Sequence, residues 1–329
     1  MAINKAVKTI LKALSEQELD VERDRRLAEL KKLDPIRIFT EKLDVHIEND
    51  GYEIPVRFYF PDRNRMKEEK EEIITQYDGK ILLFFHGGGW ATESIETYER
   101  ICGQLAQSTG QLVLSVEYRR APEHRFPVPL MDAYAIAKAL YEGRLIENIR
   151  PEDITLIGDS AGGNMAAALS LMARDRGEFM PRQQILIYPA LWNDYTDNTP
   201  FESVRENGSD YLLTAPRIEA YLDLYQSKPE DRLSPYFAPL LEDDLEGLPR
   251  TLILTAEYDP LRDEGEEFGR RLEAAGNEIE VYRIPDAVHG FFSLGLKHIH
   301  VLESLEKINQ FLDGGEPNEA GITESEEEA

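Results

Sequence analysis

Cysteine is all but missing from this chain: Cys102 is the one thiol among 329 residues. A lone cysteine excludes an internal disulfide framework and any Cys-rich zinc site. Positive charge is scarce as well. Against 63 Asp and Glu stand 37 Lys and Arg, a formal net charge of −26. So anionic a chain repels polyanions, which argues against nucleic acid or an anionic membrane surface as a partner. Long apolar runs are lacking too; none approaches the ~18 residues that a spanning helix needs. The opening MAINKAVKTILKAL is interrupted by Lys5, Lys8 and Lys12, so no signal-peptide core is apparent. Together these absences lead us to expect a soluble cytoplasmic protein.

What is present suffices for a substantial core, with 42% of residues apolar. Residues 1–38 carry Ile3, Val7, Ile10 and Leu14, then Leu19, Leu27, Leu30 and Leu33, as an apolar stripe among charges. That spacing predicts amphipathic helix stopped at Pro35, in need of something to pack against. A change to strand alternation follows around the turn-former Asp50-Gly51. The charged run 66–80 reads as an exposed excursion. Beyond it, short apolar runs at Ile81–Phe85, Leu112–Val116, 154–157, 185–187, 251–255 and 279–284 alternate with helical patterns at 98–108, 130–141, 163–174 and 264–275. Such alternation predicts an α/β fold with a mostly parallel sheet and helices on both faces. The polar and aromatic stretch 192–227 breaks the rhythm and is expected as an insertion over one edge of the sheet. A catalytic domain would then span 39–313. The last residues, 314–329, hold six glutamates and no Lys or Arg, and are expected to form a disordered acidic tail.

The sharpest local signal is Gly158-Asp159-Ser160-Ala161-Gly162, with an apolar run before it and an Ala/Leu/Met-rich helical pattern after it. A G-x-S-x-G turn between strand and helix presents its serine in a strained conformation, and small neighbours let strand and helix approach. Chance alone supplies the pattern roughly 0.1 times in a chain this long; the strand-before, helix-after setting raises it well above that. A second signal, His86-Gly87-Gly88-Gly89-Trp90, directly follows the run Ile81–Phe85. A triple glycine can be a mere turn. Beside a serine elbow, its unhindered N–H groups can join the amide of Ala161 around a developing oxyanion. Neither a phosphate-binding P-loop nor a dinucleotide fingerprint fits the spacing.

A serine hydroxyl needs a base and an orienting acid. Of six histidines, His46, His86 and His124 lie early in the chain, and His298 and His300 fall on an expected C-terminal helix. His289 instead follows the run 279–284, at a strand end where sites gather. For the acid, Asp259 lies just past 251–255, with Glu257 and Asp263 as nearby rivals. The chain order is then Ser160, Asp259, His289, that of α/β-hydrolases.

At these residues the sequence resembles the hormone-sensitive-lipase-like family of α/β-hydrolase esterases. The resemblance rests on HGGGW at His86, GDSAGG at Gly158, EYDPLRDEG at Glu257, HGF at His289 and YRRAPEH at Tyr118, and it runs from about Lys80 to Leu312. It implies a mainly helical cap made from the N-terminal helices and the insertion. It implies Ser160 as nucleophile, His289 as base and Asp259 as orienting acid. The oxyanion hole would hold Gly88, Gly89 and Ala161 as donors, with Gly87 shaping the loop and His86 and Trp90 supporting it. The implied substrates are small esters of short to medium acyl length, with no metal or cofactor, and homodimers are common in the family. Lactone or amide hydrolysis uses the same parts. A non-catalytic receptor on this scaffold is disfavoured, because Ser160, Asp259 and His289 are all present.

Overall fold

The computed structural model describes residues 5–15, 17–33, 42–62, 77–295 and 298–314. Pro35, the boundary at 38/39, most of the charged excursion and the tail from 315 onward lie outside these residues. A hairpin opens the sheet. Strands β1 (Lys42–Asn49) and β2 (Tyr52–Tyr59) are antiparallel. They are joined through Asp50 and Gly51, whose φ values of 50° and 76° suit the twist of a two-residue hairpin turn. The remaining strands are β3 (Ile81–Phe85), β4 (Leu112–Val116), β5 (Ile154–Asp159), β6 (Gln183–Ile187), β7 (Arg250–Tyr258) and β8 (Ile279–Val288). They pair in the order β1-β2-β4-β3-β5-β6-β7-β8, and every pair from β4 to β8 is parallel.

The central strands are apolar on both faces because both are covered. Along β3, Leu82 and Phe84 face a layer formed by α3 (Glu99–Thr109) and the C-terminal helix (Ile299–Leu312). The alternate residues Ile81, Leu83 and Phe85 face α4 (Val128–Tyr141) and α5 (Ala161–Arg176), with α8 (Arg262–Ala274) in the same layer.

The helical N-terminal segment comprises α1 (Lys5–Ser15) and α2 (Val21–Glu29). Asp20 starts the second by accepting the N–H of Arg23 at 2.9 Å, which an apolar stripe cannot reveal. Of the described members of that stripe, Leu19 is half-buried. Ala28 is buried, while Ile10, Leu27 and Leu30 are more than half exposed. The insertion forms α6 (Glu202–Asn207) and α7 (Ala215–Tyr225). It does not lie over an edge of the sheet. Leu212, Leu213, Arg217, Ile218 and Tyr221 share a cavity with Ser160 and His289, so the insertion sits over the carboxyl ends of the central strands. There it meets the N-terminal helices: Leu212 N–H donates to Ser15 Oγ at 2.8 Å, and Arg217 pairs with Asp24.

Candidate active site

Strand β5 ends at Asp159 and α5 begins at Ala161, so the whole reversal falls on Ser160, with φ 54° and ψ −118°. A β-carbon on Gly162 would fall on the Phe85 carbonyl, and one on Gly158 on the Gly162 carbonyl. Both glycines are therefore steric requirements of the turn. The Ser160 N–H donates to the Ile187 carbonyl at 2.8 Å, tying the turn to β6.

The structure brings three sequence-predicted residues into line. His289 Nδ1 lies 2.7 Å from Asp259 Oδ2, and His289 Nε2 lies 2.9 Å from Ser160 Oγ. Asp259 is fully buried, and its other oxygen accepts the N–H of Leu261 at 2.9 Å. A carboxylate can only accept, so Nδ1 carries the proton and Nε2 is left to accept from the serine. The rival acids are engaged elsewhere. Asp263 accepts the N–H of Ser203, and Glu257 that of Asp286. Tyr188 packs its ring on His289 at 4.8 Å. His46 is on β1, His300 is on the C-terminal helix and His298 precedes it, so none of these reaches Ser160.

The glycine loop lies alongside. Gly87 is not an available donor: its N–H is spent on Asp159 Oδ1 at 2.9 Å. It shapes the loop instead, and a β-carbon there would meet Asp159 and the Tyr98 hydroxyl. Gly88, Gly89 and Ala161 line the same cavity as Ser160 and His289. Buried His86 keeps the ring neutral, because burial pulls its pKa down to about 3. Its Nδ1–H donates to the Gly87 carbonyl at 2.9 Å, and its ring stacks on Tyr118 at 4.3 Å. That carbonyl shares a planar peptide with the Gly88 N–H, so the bond also fixes where that N–H points. Likewise the Gly88 carbonyl accepts from the N–H groups of Ala91 and Thr92, both at 3.0 Å, which orients the Gly89 N–H. Trp90 stacks on Tyr225 of α7 at 4.3 Å.

Two buried carboxyls were not singled out by sequence. Asp159, the variable residue of the serine motif, accepts from Gly87, from the Tyr98 hydroxyl at 2.8 Å and from the Tyr188 hydroxyl at 3.3 Å. Burial still pushes its pKa up to about 6. Glu264 accepts on one oxygen from Leu191 N–H (2.6 Å) and the Tyr195 hydroxyl (2.8 Å), where the insertion leaves β6. The cavity measures about 380 Å³. Of the insertion's aromatics Trp192, Tyr195, Phe201, Tyr211 and Tyr221, only Tyr221 lines it.

A family model described as alpha/beta hydrolase fold matches residues 82–293, most of the chain. The chain belongs to the α/β-hydrolase family. Within this family several of its relatives are esterases, in keeping with the hormone-sensitive-lipase-like motifs. An ethyl acetate hydrolase of Pseudomonas putida is 36% identical over 247 residues, 75% of this chain and 74% of that protein. An arylesterase of Saccharolobus solfataricus is 32% identical, covering 84% of each. Among solved structures, a hyperthermophilic esterase from the archaeon Pyrobaculum calidifontis superimposes with a TM-score of 0.78 at 34% identity, over 95% of this chain and 99% of that one. This α/β-hydrolase is thus an esterase by relationship. Among its described residues no helix is long and apolar enough to cross a membrane.

Proposed function

We propose that this α/β-hydrolase is a serine carboxylesterase acting on neutral esters of short to medium acyl length. The observation that carries the reading is the unbroken line from Asp259 through His289 to Ser160, with bonds of 2.7 and 2.9 Å. Ser160 attacks the ester carbonyl as His289 takes its proton, and the carbonyl oxygen becomes an oxyanion held by the N–H groups of Gly88, Gly89 and Ala161. His289 then protonates the departing alcohol. Water, activated by the same imidazole, adds to the acyl-enzyme and releases the acid and free Ser160. Asp259 fixes the tautomer and stabilises the imidazolium. A cavity of about 380 Å³, walled on the cap side by Leu27, Ala28, Leu213 and Ile218, suits a small apolar ester. The same reading includes a cytoplasmic location and a homodimer, the latter checkable by light scattering.

The test is Ser160→Ala in the full chain. Turnover of a short p-nitrophenyl ester should fall by about 10⁴-fold or more, and labelling by a fluorophosphonate probe should vanish, with the fold kept. Wild-type protein that the probe leaves unlabelled would instead indicate a ligand-binding scaffold without an activated serine.

A further inference from the structure

Arg25 lies on α2, outside the stretch 82–293 that the family model matches. No motif pointed to it, yet all three nitrogens of its guanidinium are engaged. Nε donates to the Ala91 carbonyl at 2.8 Å, and Nη2 to the Ala121 carbonyl at 3.0 Å. The two terminal nitrogens also grip Glu123 side by side at 2.7 and 2.8 Å. Ala91 and Ala121 are both buried. Their carbonyls belong to two different loops, one after β3 and one after β4, which touch where Ala121 N–H donates to the Trp90 carbonyl at 2.9 Å.

We propose that Arg25 is a positioning residue for the oxyanion loop, an inference that rests on the serine-esterase reading. The route is short and rigid. Arg25 holds the carbonyl of Ala91, which shares a planar peptide with the Thr92 N–H, and that N–H donates to the Gly88 carbonyl. The Gly88 carbonyl and the Gly89 N–H belong to one planar peptide, so turning one turns the other. Glu123 in turn holds the guanidinium in register, and its carboxyl is kept down at about 2 by Arg25. A planar fork of fixed donors serves two carbonyls and a carboxylate at once; an ammonium group cannot span them. The N-terminal cap helix therefore reaches the reaction centre through backbone geometry, without touching the substrate through this residue.

The experiment compares Arg25→Met, Arg25→Lys, Glu123→Gln and the control Arg23→Met in the full chain. Arg23 sits on the same helix and, among the described residues, bonds to Glu18, Asp20 and Asp24 nearby. Displacing an oxyanion donor by an ångström costs up to about 10²-fold. Arg25→Met should lower kcat by about 10- to 100-fold with KM within about threefold. Affinity for a trifluoromethyl ketone, which forms an oxyanion adduct on Ser160, should fall by the same factor as kcat/KM. Arg25→Lys should recover part of the loss, Glu123→Gln should lose a few-fold, and Arg23→Met should match wild type. Wild-type kcat and ketone affinity in Arg25→Met, whatever its melting temperature, would reduce Arg25 to a strap. If Arg25→Met does not fold, Arg25→Lys decides by the same two readouts. Failure of the esterase reading looks different, since the wild type itself would escape the fluorophosphonate.

Discussion

Among its described partners Glu264 has no cation to stabilise a negative charge. It is fully buried, its Oε1 takes all the donors, and Oε2 has no hydrogen-bond partner among the described residues. Burial, with the charge of Asp259 adding to it, pushes its pKa up to about 8. In the unfolded chain the group titrates near 4.5, so between those values folding takes up a proton. Stability from this group is complete at acid pH and is lost as pH rises through about 8. Glu264→Gln keeps an oxygen for Leu191 and Tyr195 but cannot ionise. Its stability relative to wild type should therefore climb between about pH 5 and 8 and level off above. Urea midpoints of the two proteins across that range measure this. Midpoints that move in parallel would mean that the carboxyl is charged throughout. At this scale the residues of the Asp259–His289–Ser160 line were legible in sequence because strand-end motifs carry them. Glu264, Asp159 and Arg25 were not, since what they do depends on burial and on neighbours about 70 to 100 positions away.

Elements split along a similar line. A strand covered on both faces writes itself as a continuous apolar run, so Ile81–Phe85 and Leu112–Val116 could be read residue for residue. Helix α2 could not. Its boundary is set by the Asp20 cap, and its one buried residue is Ala28. Little apolar surface holds it down, and its attachments are polar: Asp24 to Arg217, Arg25 as above and, in the turn just after the helix, Lys31 to Glu93 at 2.7 Å. Exposed ion pairs contribute up to about 1 kcal/mol each and weaken with salt. Helix α5, by contrast, is buried from Ala161 to Ala173. Amide exchange in α2 should accelerate when ionic strength rises from about 0.05 to about 0.5 M, while α5 stays protected. Equal protection of α2 at both salt levels would show that apolar packing, not charge, fastens this helix.

Over the whole molecule the surplus of acid is the dominant electrostatic fact, at −26 for the chain. Composition makes that plain, but it says nothing of the sign at the cavity mouth. There the structure sets Asp24 and Glu93 against Arg217 and Lys31, in two pairs that nearly cancel. The field an approaching substrate meets is then that of the body, which is negative and reaches about 10 Å at 0.1 M salt. Two esters of equal length, one ending in a carboxylate and one in the neutral amide, separate this long-range effect from fit. At low salt the anionic ester should have the lower kcat/KM, and a tenfold rise in ionic strength should narrow the gap by several-fold while the neutral ester stays constant. A kcat/KM for the anionic ester that instead falls with salt would mean that Arg217 and Lys31 outweigh their partners and that the mouth attracts what the body repels.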